Sequence, residues 1–431
     1  MLREIGVRPR PPAILEGMAH GNRERSLRLL ACTLVVAGAA CGQATDVLHT
    51  TARQDPAPTT TRPTTRGAEL ASQPAAPPIV ALHGGRKGAG RPPFAPSMKA
   101  IAAGQRWLVE AQRDDGRWSE APGKQDGQHD VGLTGLALLA LTAGGSTLNG
   151  GAHRGATADG ARWLASVQQP NGRFGTMSPP DFVYDHALAT FALVSLSQLS
   201  DDETVRKPAQ RALRYLESHR NATGLIGLAP KDGPTQTAAT ALATFAIRSA
   251  IGFDALASDE EFTAAALGWF DAVTDPTNGV AGDRQRGDSR PNRPDDPLFL
   301  LPSHPSLALT AASAFARFML GETAAAGSLL DKSCARIAES APDPNAKPIA
   351  LDVFAFYCGT AALYQAGGER FVRWRTPIEE ILAATQTREG EHAGSWDPTL
   401  DVWGKHAGRI YTTGFALLTF GTIYRPARLL R

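Results

Sequence analysis

The chain has 431 residues, 42% of them hydrophobic and 20% charged, an ordinary globular composition that suits one large core or two smaller ones. A net charge of +2 gives no concentrated basic face, so we expect no nucleic acid among its partners. The prolines gather near the N-terminus, which argues against a collagen-like or globally disordered chain.

Residues 1–41 are typical of an export signal. An arginine-rich region precedes the apolar stretch 29–40, which is too short to span a bilayer. Small residues stand directly before Cys41, which resembles a bacterial lipoprotein signal, although Gly38 replaces the usual larger aliphatic residue. The sequence predicts export to the cell envelope and a membrane anchor through a lipid on Cys41. Ordinary signal cleavage is the alternative.

Residues 42–95 are rich in Thr, Pro and Ala and carry no hydrophobic period. Such a segment cannot bury enough apolar surface to offset the entropy of ordering it. We predict a disordered tether between the anchor and a folded domain over 96–431.

From about residue 98 the chain repeats every 50–60 residues or so. Each repeat begins with an amphipathic helix and continues through a Gly-containing turn. The segments 105–118 and 161–174 match position by position: Trp107, Gln112, Gly116 and Trp118 correspond to Trp163, Gln168, Gly172 and Phe174. Weaker copies lie at Tyr215 with Gly224 and at Trp269 with Gly279.

Each turn leads to a second helix that is apolar almost all round and must therefore be buried on every face. These helices cover 134–145, 189–200, 240–250, 309–321, 358–368 and 413–424. The alternation predicts an all-α fold, a closed α/α toroid of six hairpins and about twelve helices. An open solenoid is the alternative, but it would need polar capping repeats, and the last repeat ends in an apolar helix.

The Trp, Gln and Asp/Asn-Gly-x-aromatic pattern of the first two repeats resembles the QW motif of squalene–hopene cyclases. The C-terminal stretch 352–420 resembles the last repeats of terpenoid cyclases and protein prenyltransferase β-subunits, and the chain looks closest to prenyltransferase/squalene-oxidase repeat proteins of the bacterial envelope. The resemblance implies a toroid in which the Gln amide satisfies helix-end groups and the turn aromatic stacks on the neighbouring repeat.

Two departures bear on activity. The DxDD motif by which type II terpene cyclases protonate their substrate does not occur. Of the zinc ligands of prenyltransferases only Asp352 is matched, because Phe354 and Thr412 stand at the Cys and His positions. One carboxylate does not hold zinc, so we expect no metal and no cofactor.

Polar residues precede the apolar cores of several inner helices, and the repeat register places them at one mouth of the barrel. Helix N-termini converge there and favour negative charge. We take Asp130, Asp185 and Asp352 as candidate catalytic residues, with the alternative that Asp130 and Asp185 cap their own helices. The candidate ligand-binding residues are His129, Tyr184, His186, Gln236, His304, Arg409 and Tyr411.

Three functions fit this pattern. The first is binding, or conversion, of an isoprenoid-like or other apolar small molecule or lipid, with Phe191, Phe245, Phe315, Tyr364 and Phe415 as candidate lining residues. The second is a glycan-active (α/α)₆ enzyme with paired carboxylates. The third is a non-catalytic envelope scaffold with a filled interior.

Cys334 and Cys358 lie in the fifth hairpin, at similar distances before and after its turn. Antiparallel helices rise equally per residue, so the two cysteines should stand at similar height. They are candidates for a disulfide if both point into the contact, and otherwise two buried free thiols.

Overall fold

The structure is a computed structural model that describes residues 94–120, 127, 129–175, 182–228, 235–250, 259–287 and 307–424. The predicted export signal, the lipidation of Cys41, residues 42–93 of the predicted tether and His304 therefore lie outside the described ranges.

Twelve α-helices and one short 3₁₀ helix, Pro398–Leu400, form within these ranges, and the described connections between them carry isolated β-bridges. In chain order they are α1 Ala95–Glu110, α2 Asp130–Ala143, α3 Arg154–Ser166, α4 Phe182–Gln198, α5 Glu203–Glu217, α6 Thr237–Arg248, α7 Glu260–Val273, α8 Leu307–Met319, α9 Leu329–Glu339, α10 Val353–Ala366, α11 Gly368–Thr385 and α12 Gly404–Tyr424. Odd-numbered helices are the outer members of six hairpins, and even-numbered helices are the inner members.

The two kinds of helix differ as their sequences predict. The outer helix α5 buries one face, including Val205, Ala209 and Leu213, and exposes charged residues on the other. The inner helix α10 buries every residue from Val353 to Leu363. A helix buried on all sides needs neighbours on all sides, which a ring of inner helices within a ring of outer helices supplies.

The ring closes. Each inner helix packs on the next, and α12 packs on α2; among the outer helices, α11 packs on α1. The seam is tight, because a Cβ atom at Gly414 of α12 would lie 2.7 Å from the Leu136 side chain of α2. The prediction of a closed toroid is confirmed, and the open solenoid is excluded.

The motif glutamines tie adjacent hairpins together. Gln112 Nε2 donates to the carbonyl of Gly116 in its own turn at 2.7 Å and to the carbonyl of Ala156 in α3 at 2.9 Å. Gln168 Nε2 repeats this pattern with Gly172 and with a carbonyl of α5. We expected the Gln amide to satisfy unpaired groups at a helix end. The bond from Gln112 to Ala156 differs, because Ala156 lies in the first turn of α3, where carbonyls already have partners within the helix.

A third copy of the motif closes the seam. Gln386 Nε2 donates to the carbonyls of Gly394 and Ala100, and so joins the last turn to α1. Trp396 contacts Gly104 of α1, where a Cβ atom would lie 3.0 Å from its ring. The expected contact between the turn aromatic and the neighbouring repeat is therefore present.

Packing requires the glycine of the second motif turn, Gly172. Gly172 has φ 92°, and a Cβ atom there would lie 2.1 Å from the carbonyl oxygen of Arg211 on the next outer helix. Only glycine combines this left-handed backbone with so close an approach.

Cys334 and Cys358 are free, buried thiols, the second of the two alternatives. The charged neighbours of Cys334 are Arg370, Asp331 and Glu322, whereas Asp352 faces Cys358. The two thiols thus have different charged neighbours, although their helices, α9 and α10, pack together. Within the described ranges, no helix is long and apolar enough to cross a membrane.

Candidate functional site at the barrel mouth

The inner helices run parallel and in register, so their first turns lie at one end of the ring, here called the mouth. The ninth residues of α6 and α8, Phe245 and Phe315, have ring centroids 4.7 Å apart. Asp130 and Asp185 lie inside the first turns of α2 and α4, and Asp352 is the N-cap residue of α10. The register prediction therefore placed these three carboxylates at the correct end.

His129 and Asp185 form a buried pair between the first two hairpins. His129 Nδ1 lies 2.9 Å from Asp185 Oδ2, and the two side chains are 3% and 7% exposed. A carboxylate at Nδ1 fixes the orientation and tautomer of the imidazole. The pair is suited to holding or moving one proton, and it is more than a helix cap.

Asp130 pairs with a residue that the sequence did not single out. Arg117 Nε lies 2.9 Å from Asp130 Oδ2, and Arg117 also bonds Asp115 in its own turn. The arginine comes from the turn between α1 and α2 and therefore reaches back over the first turn of its own inner helix. Its position within the motif segment DDGRW was the only available signal.

These carboxylates line a cavity of ≈ 260 Å³. Its polar side carries Arg117, Asp130 and Asp185, and its apolar side carries Val131, Trp163, Val167, Phe174 and Phe182. Small-molecule sites are usually concave and largely apolar with a few convergent polar groups. The cavity has this character, and its volume of ≈ 260 Å³ lies just below the range of such sites, which begins at roughly 300 Å³.

The structure separates Tyr184 from His186, two other candidate ligand-binding residues. The Tyr184 hydroxyl donates to Gln236 Oε1 at 2.9 Å, which links the first turns of α4 and α6. His186 instead faces away from the mouth. Its Nε2 lies 3.1 Å from the Ala212 carbonyl of α5, and its ring packs against Tyr215. One turn of helix spans about 3.6 residues, so neighbours in sequence face different sides.

Arg409 is also directed away from the mouth carboxylates. Its guanidinium bonds Ser395 Oγ at 3.1 Å and lies 3.8 Å from Asp397. The backbone N–H groups of Arg409 and Ile410 are bound by Glu120, a residue that sequence reasoning missed.

A second polar cluster lies between α10 and α12. Asp352 Oδ1 accepts the N–H of Ala355, and Asp401 accepts the N–H groups of Val353 and Trp403. Burial and the neighbouring Asp352 charge raise the pKa of Asp401 to about 8, and burial raises that of Asp352 to about 6. Burial, and then the charges of Asp401 and Asp352, raise the pKa of Tyr411, whose phenol lies near both carboxyls.

The predicted aromatic lining is largely present as a connected set. Phe245 contacts Phe191 and Phe315, and Phe315 contacts Tyr357, which contacts Phe415. Tyr364 does not belong to this set, because its ring packs against Phe371 of the outer helix α11. Among the described residues, no group of three or more His, Cys, Asp or Glu side chains is placed to hold a metal ion.

No family model matches the chain, and no curated protein matches it. Solved structures do match. The type II terpene cyclase MstE from Scytonema, in complex with geranylgeranyl dihydroxybenzoate, is 14% identical with a TM-score of 0.51, over 76% of this chain and 97% of its own.

Two glycan-active proteins match as well. An α-1,6-mannanase of Salegentibacter sp. is 12% identical with a TM-score of 0.52, over 75% of this chain and 98% of its own. Cellobiose 2-epimerase from Bacillus thermoamylovorans is 11% identical with a TM-score of 0.53, over 77% of this chain and all of its own.

All three are toroid enzymes, and the resemblance to the terpenoid cyclase-like toroids is confirmed at the level of fold. The chain is an all-α toroid of six hairpins. Because one fold hosts unrelated chemistries, these likenesses assign no reaction to it.

Proposed function

We propose that this protein binds an isoprenoid-like or other apolar small molecule at the barrel mouth. The observation that carries the proposal is the ≈ 260 Å³ cavity, which sets the aromatic side chains of Trp163, Phe174 and Phe182 opposite Asp130 and Asp185. Such a cavity takes a ligand with an apolar body and a polar end. Further into the ring, the contacting side chains of Phe191, Phe245 and Phe315 form a second aromatic group.

The His129–Asp185 pair would contact the polar end of the ligand. A buried imidazole held by a carboxylate donates or accepts one hydrogen bond in a defined direction. Charge-assisted hydrogen bonds contribute about 1.5–3 kcal/mol each, so loss of the Asp185 charge should weaken binding about tenfold or more.

Calorimetric titration of the purified protein with geranylgeraniol tests the proposal. We expect saturable binding that Asp185→Asn weakens about tenfold. Asp202→Asn serves as the matched control, because Asp202 is a partly exposed N-cap residue of the outer helix α5, which does not line the cavity. Absence of binding to the wild-type protein would overturn the proposal.

A glycan-active enzyme is the second candidate, favoured by the two carboxylates that share one cavity with the indole of Trp163. Such enzymes use paired carboxylates for catalysis and aromatic side chains to bind the sugar. Titration with mannotriose and cellobiose separates the two functions. Binding of either sugar, without binding of geranylgeraniol, would replace the first proposal with this one.

We further propose that the protein is exported and anchored in the cell envelope through Cys41. The basic and apolar segments before Cys41 support export, and the small residues beside it support lipidation. Mass spectrometry of the mature N-terminus tests this. A lipid-modified Cys41 that disappears in Cys41→Ser is the expected result, and an unmodified N-terminus elsewhere would contradict it.

A further inference from the structure

The mouth cavity is closed on one side and open on the other. Of the residues that line it, Phe174 and Phe182 are buried, whereas Arg117, Trp163 and Val167 are partly exposed. A ligand that enters past the partly exposed residues therefore meets a wall made by the two phenylalanine rings, here called the aromatic wall.

A second group of rings packs behind the aromatic wall. The ring centroid of His186 lies 5.0 Å from that of Phe174 and 5.5 Å from that of Phe182. Phe182 also contacts Tyr215 at 5.8 Å and His219 at 6.2 Å. These three backing side chains are themselves buried. Because protein interiors are close-packed, the aromatic wall cannot retreat, and it fixes the depth of the cavity.

The next repeat shows how the same space can be filled. The segments 163–175 and 215–227 are equivalent, since each contains one antiparallel β-bridge at the same positions. Val167 of the cavity therefore corresponds to His219, whose ring lies 4.7 Å from that of Tyr215. The smaller valine leaves open a space that an imidazole ring occupies one repeat later.

The volume of the cavity bounds the size of its occupant. An apolar cavity of about 150 Å³ holds one benzene molecule, so each carbon atom takes about 25 Å³. At the same packing, the ≈ 260 Å³ of the mouth cavity holds about ten non-hydrogen atoms. This is about the size of an alcohol that contains two isoprene units.

We infer, on the basis of the proposed ligand-binding function, that the mouth cavity limits the buried part of its ligand to a polar end and two isoprene units. The aromatic wall sets the depth of the cavity, and Val167 sets its width. The polar end stays with the His129–Asp185 pair. The rest of a longer chain leaves the cavity past the partly exposed Trp163 and remains in water.

Four alcohols that differ only in chain length test the inference: dimethylallyl alcohol, geraniol, farnesol and geranylgeraniol. Calorimetric titration of the purified protein measures the affinity of each. Affinity should rise at least about a hundredfold from dimethylallyl alcohol to geraniol, because the second isoprene unit becomes buried. From geraniol to geranylgeraniol it should change by less than about threefold, because the further carbon atoms stay outside the cavity.

Two substitutions should move this limit in opposite directions. Phe182→Ala removes a phenyl ring, about the size of one isoprene unit, so farnesol should gain at least about tenfold in affinity over wild type. Val167→Phe inserts a ring where the next repeat has His219. It should weaken geraniol at least about tenfold and leave dimethylallyl alcohol within about threefold of wild type. Val372→Phe is the control, because Val372 lies on the outer helix α11 and is 51% exposed.

If Phe182→Ala does not fold, the comparison of Val167→Phe with Val372→Phe decides the inference alone. A wild-type affinity that rises a further tenfold or so from geraniol to geranylgeraniol would overturn the inference and leave the proposed function standing. The same holds if Val167→Phe binds geraniol as wild type does. If none of the four alcohols binds wild type, both fail.

Discussion

The Glu120 carboxylate accepts the backbone N–H of Ile410 at 3.0 Å and that of Arg409 at 3.2 Å, and so joins the first hairpin to the last inner helix. The contact lies where α12 kinks at Gly408, whose φ is 79°. A Cβ atom at Gly408 would lie 2.0 Å from the Glu120 carboxyl carbon. The kink frees two N–H groups, and the carboxylate of another hairpin satisfies them.

Glu120→Ala should lower the free energy of unfolding by about 1–3 kcal/mol, because two partly buried N–H groups lose their acceptor. Chemical denaturation measures the change. Glu110→Ala removes an exposed glutamate from the end of α1 and should stay within about 0.5 kcal/mol of wild type. Equal stabilities of the two variants would show that Glu120 does not support the seam.

Gln112→Glu should destabilise the toroid more than Gln112→Ala. Gln112 Nε2 donates to two carbonyls, at 2.7 and 2.9 Å, and a carboxylate would set negative charge against both. We expect a loss of about 1–3 kcal/mol for alanine and a larger loss for glutamate at neutral pH. Thermal melts compare them with Gln169→Ala, an exposed neighbour in the second copy of the turn. A Gln112→Glu variant as stable as wild type would contradict the role of this amide as a donor to both carbonyls.

The ring architecture was predictable because local sequence patterns determine it. The apolar inner helices and the Gln-to-Gly spacing at Gln112 and Gln168 each report on contacts within a short stretch of chain. Even the third motif copy at Gln386 was present in the sequence, although its weaker spacing hid it: eight residues separate Gln386 from Gly394, and four separate Gln112 from Gly116.

The mouth was predictable only in part. Repeat register located Asp130, Asp185 and Asp352, since equivalent positions of parallel helices lie at one end. It did not distinguish His129, which faces Asp185, from His186, which faces α5. Glu120 and Asp401 were missed because their partners lie across the seam or in a neighbouring loop, and no periodicity marks them.

His186 should make the fold sensitive to acid. Burial between α4 and α5 lowers the pKa of His186 to about 3, from an ordinary value near 6.5. Below pH 6.5 the unfolded chain therefore takes up a proton that the folded chain does not, and the contribution of His186 to stability falls as the pH falls towards 3, by up to about 1.4 kcal/mol per pH unit.

Between pH 6.5 and 4, His186→Phe should lose less stability on acidification than wild type, by up to about 1.4 kcal/mol per pH unit. Phenylalanine does not titrate, and it suits the surrounding rings of Phe174, Phe182 and Tyr215. Denaturant titrations across this range measure the slope, and imidazole NMR signals report whether His186 stays neutral at pH 5. An imidazole that charges at pH 5 in the folded protein would contradict the prediction.

Asp401 should act in the opposite direction, over a pH interval that overlaps that of His186 and extends above it to about 8. Its pKa is raised to about 8 and that of Asp352 to about 6, both above the value near 3.9 of an unfolded aspartate. The folded protein therefore binds more protons than the unfolded chain over this interval. The stabilising contribution is full below pH 4 and is lost as the pH rises through 6 and 8.

Between pH 6.5 and 8, above the window of His186, wild type should lose up to about 1.4 kcal/mol of stability per pH unit, and the stability of Asp401→Asn should hardly change with pH. Asparagine at position 401 lowers the free energy of unfolding at every pH, because it loses an acceptor for a backbone N–H. This constant loss does not change the slope of the free energy of unfolding against pH. Asp202→Asn should keep the wild-type slope, because burial hardly affects this exposed N-cap carboxyl. A flat wild-type profile would mean that the backbone N–H groups of Val353 and Trp403 hold Asp401 ionised and that the cluster keeps no proton.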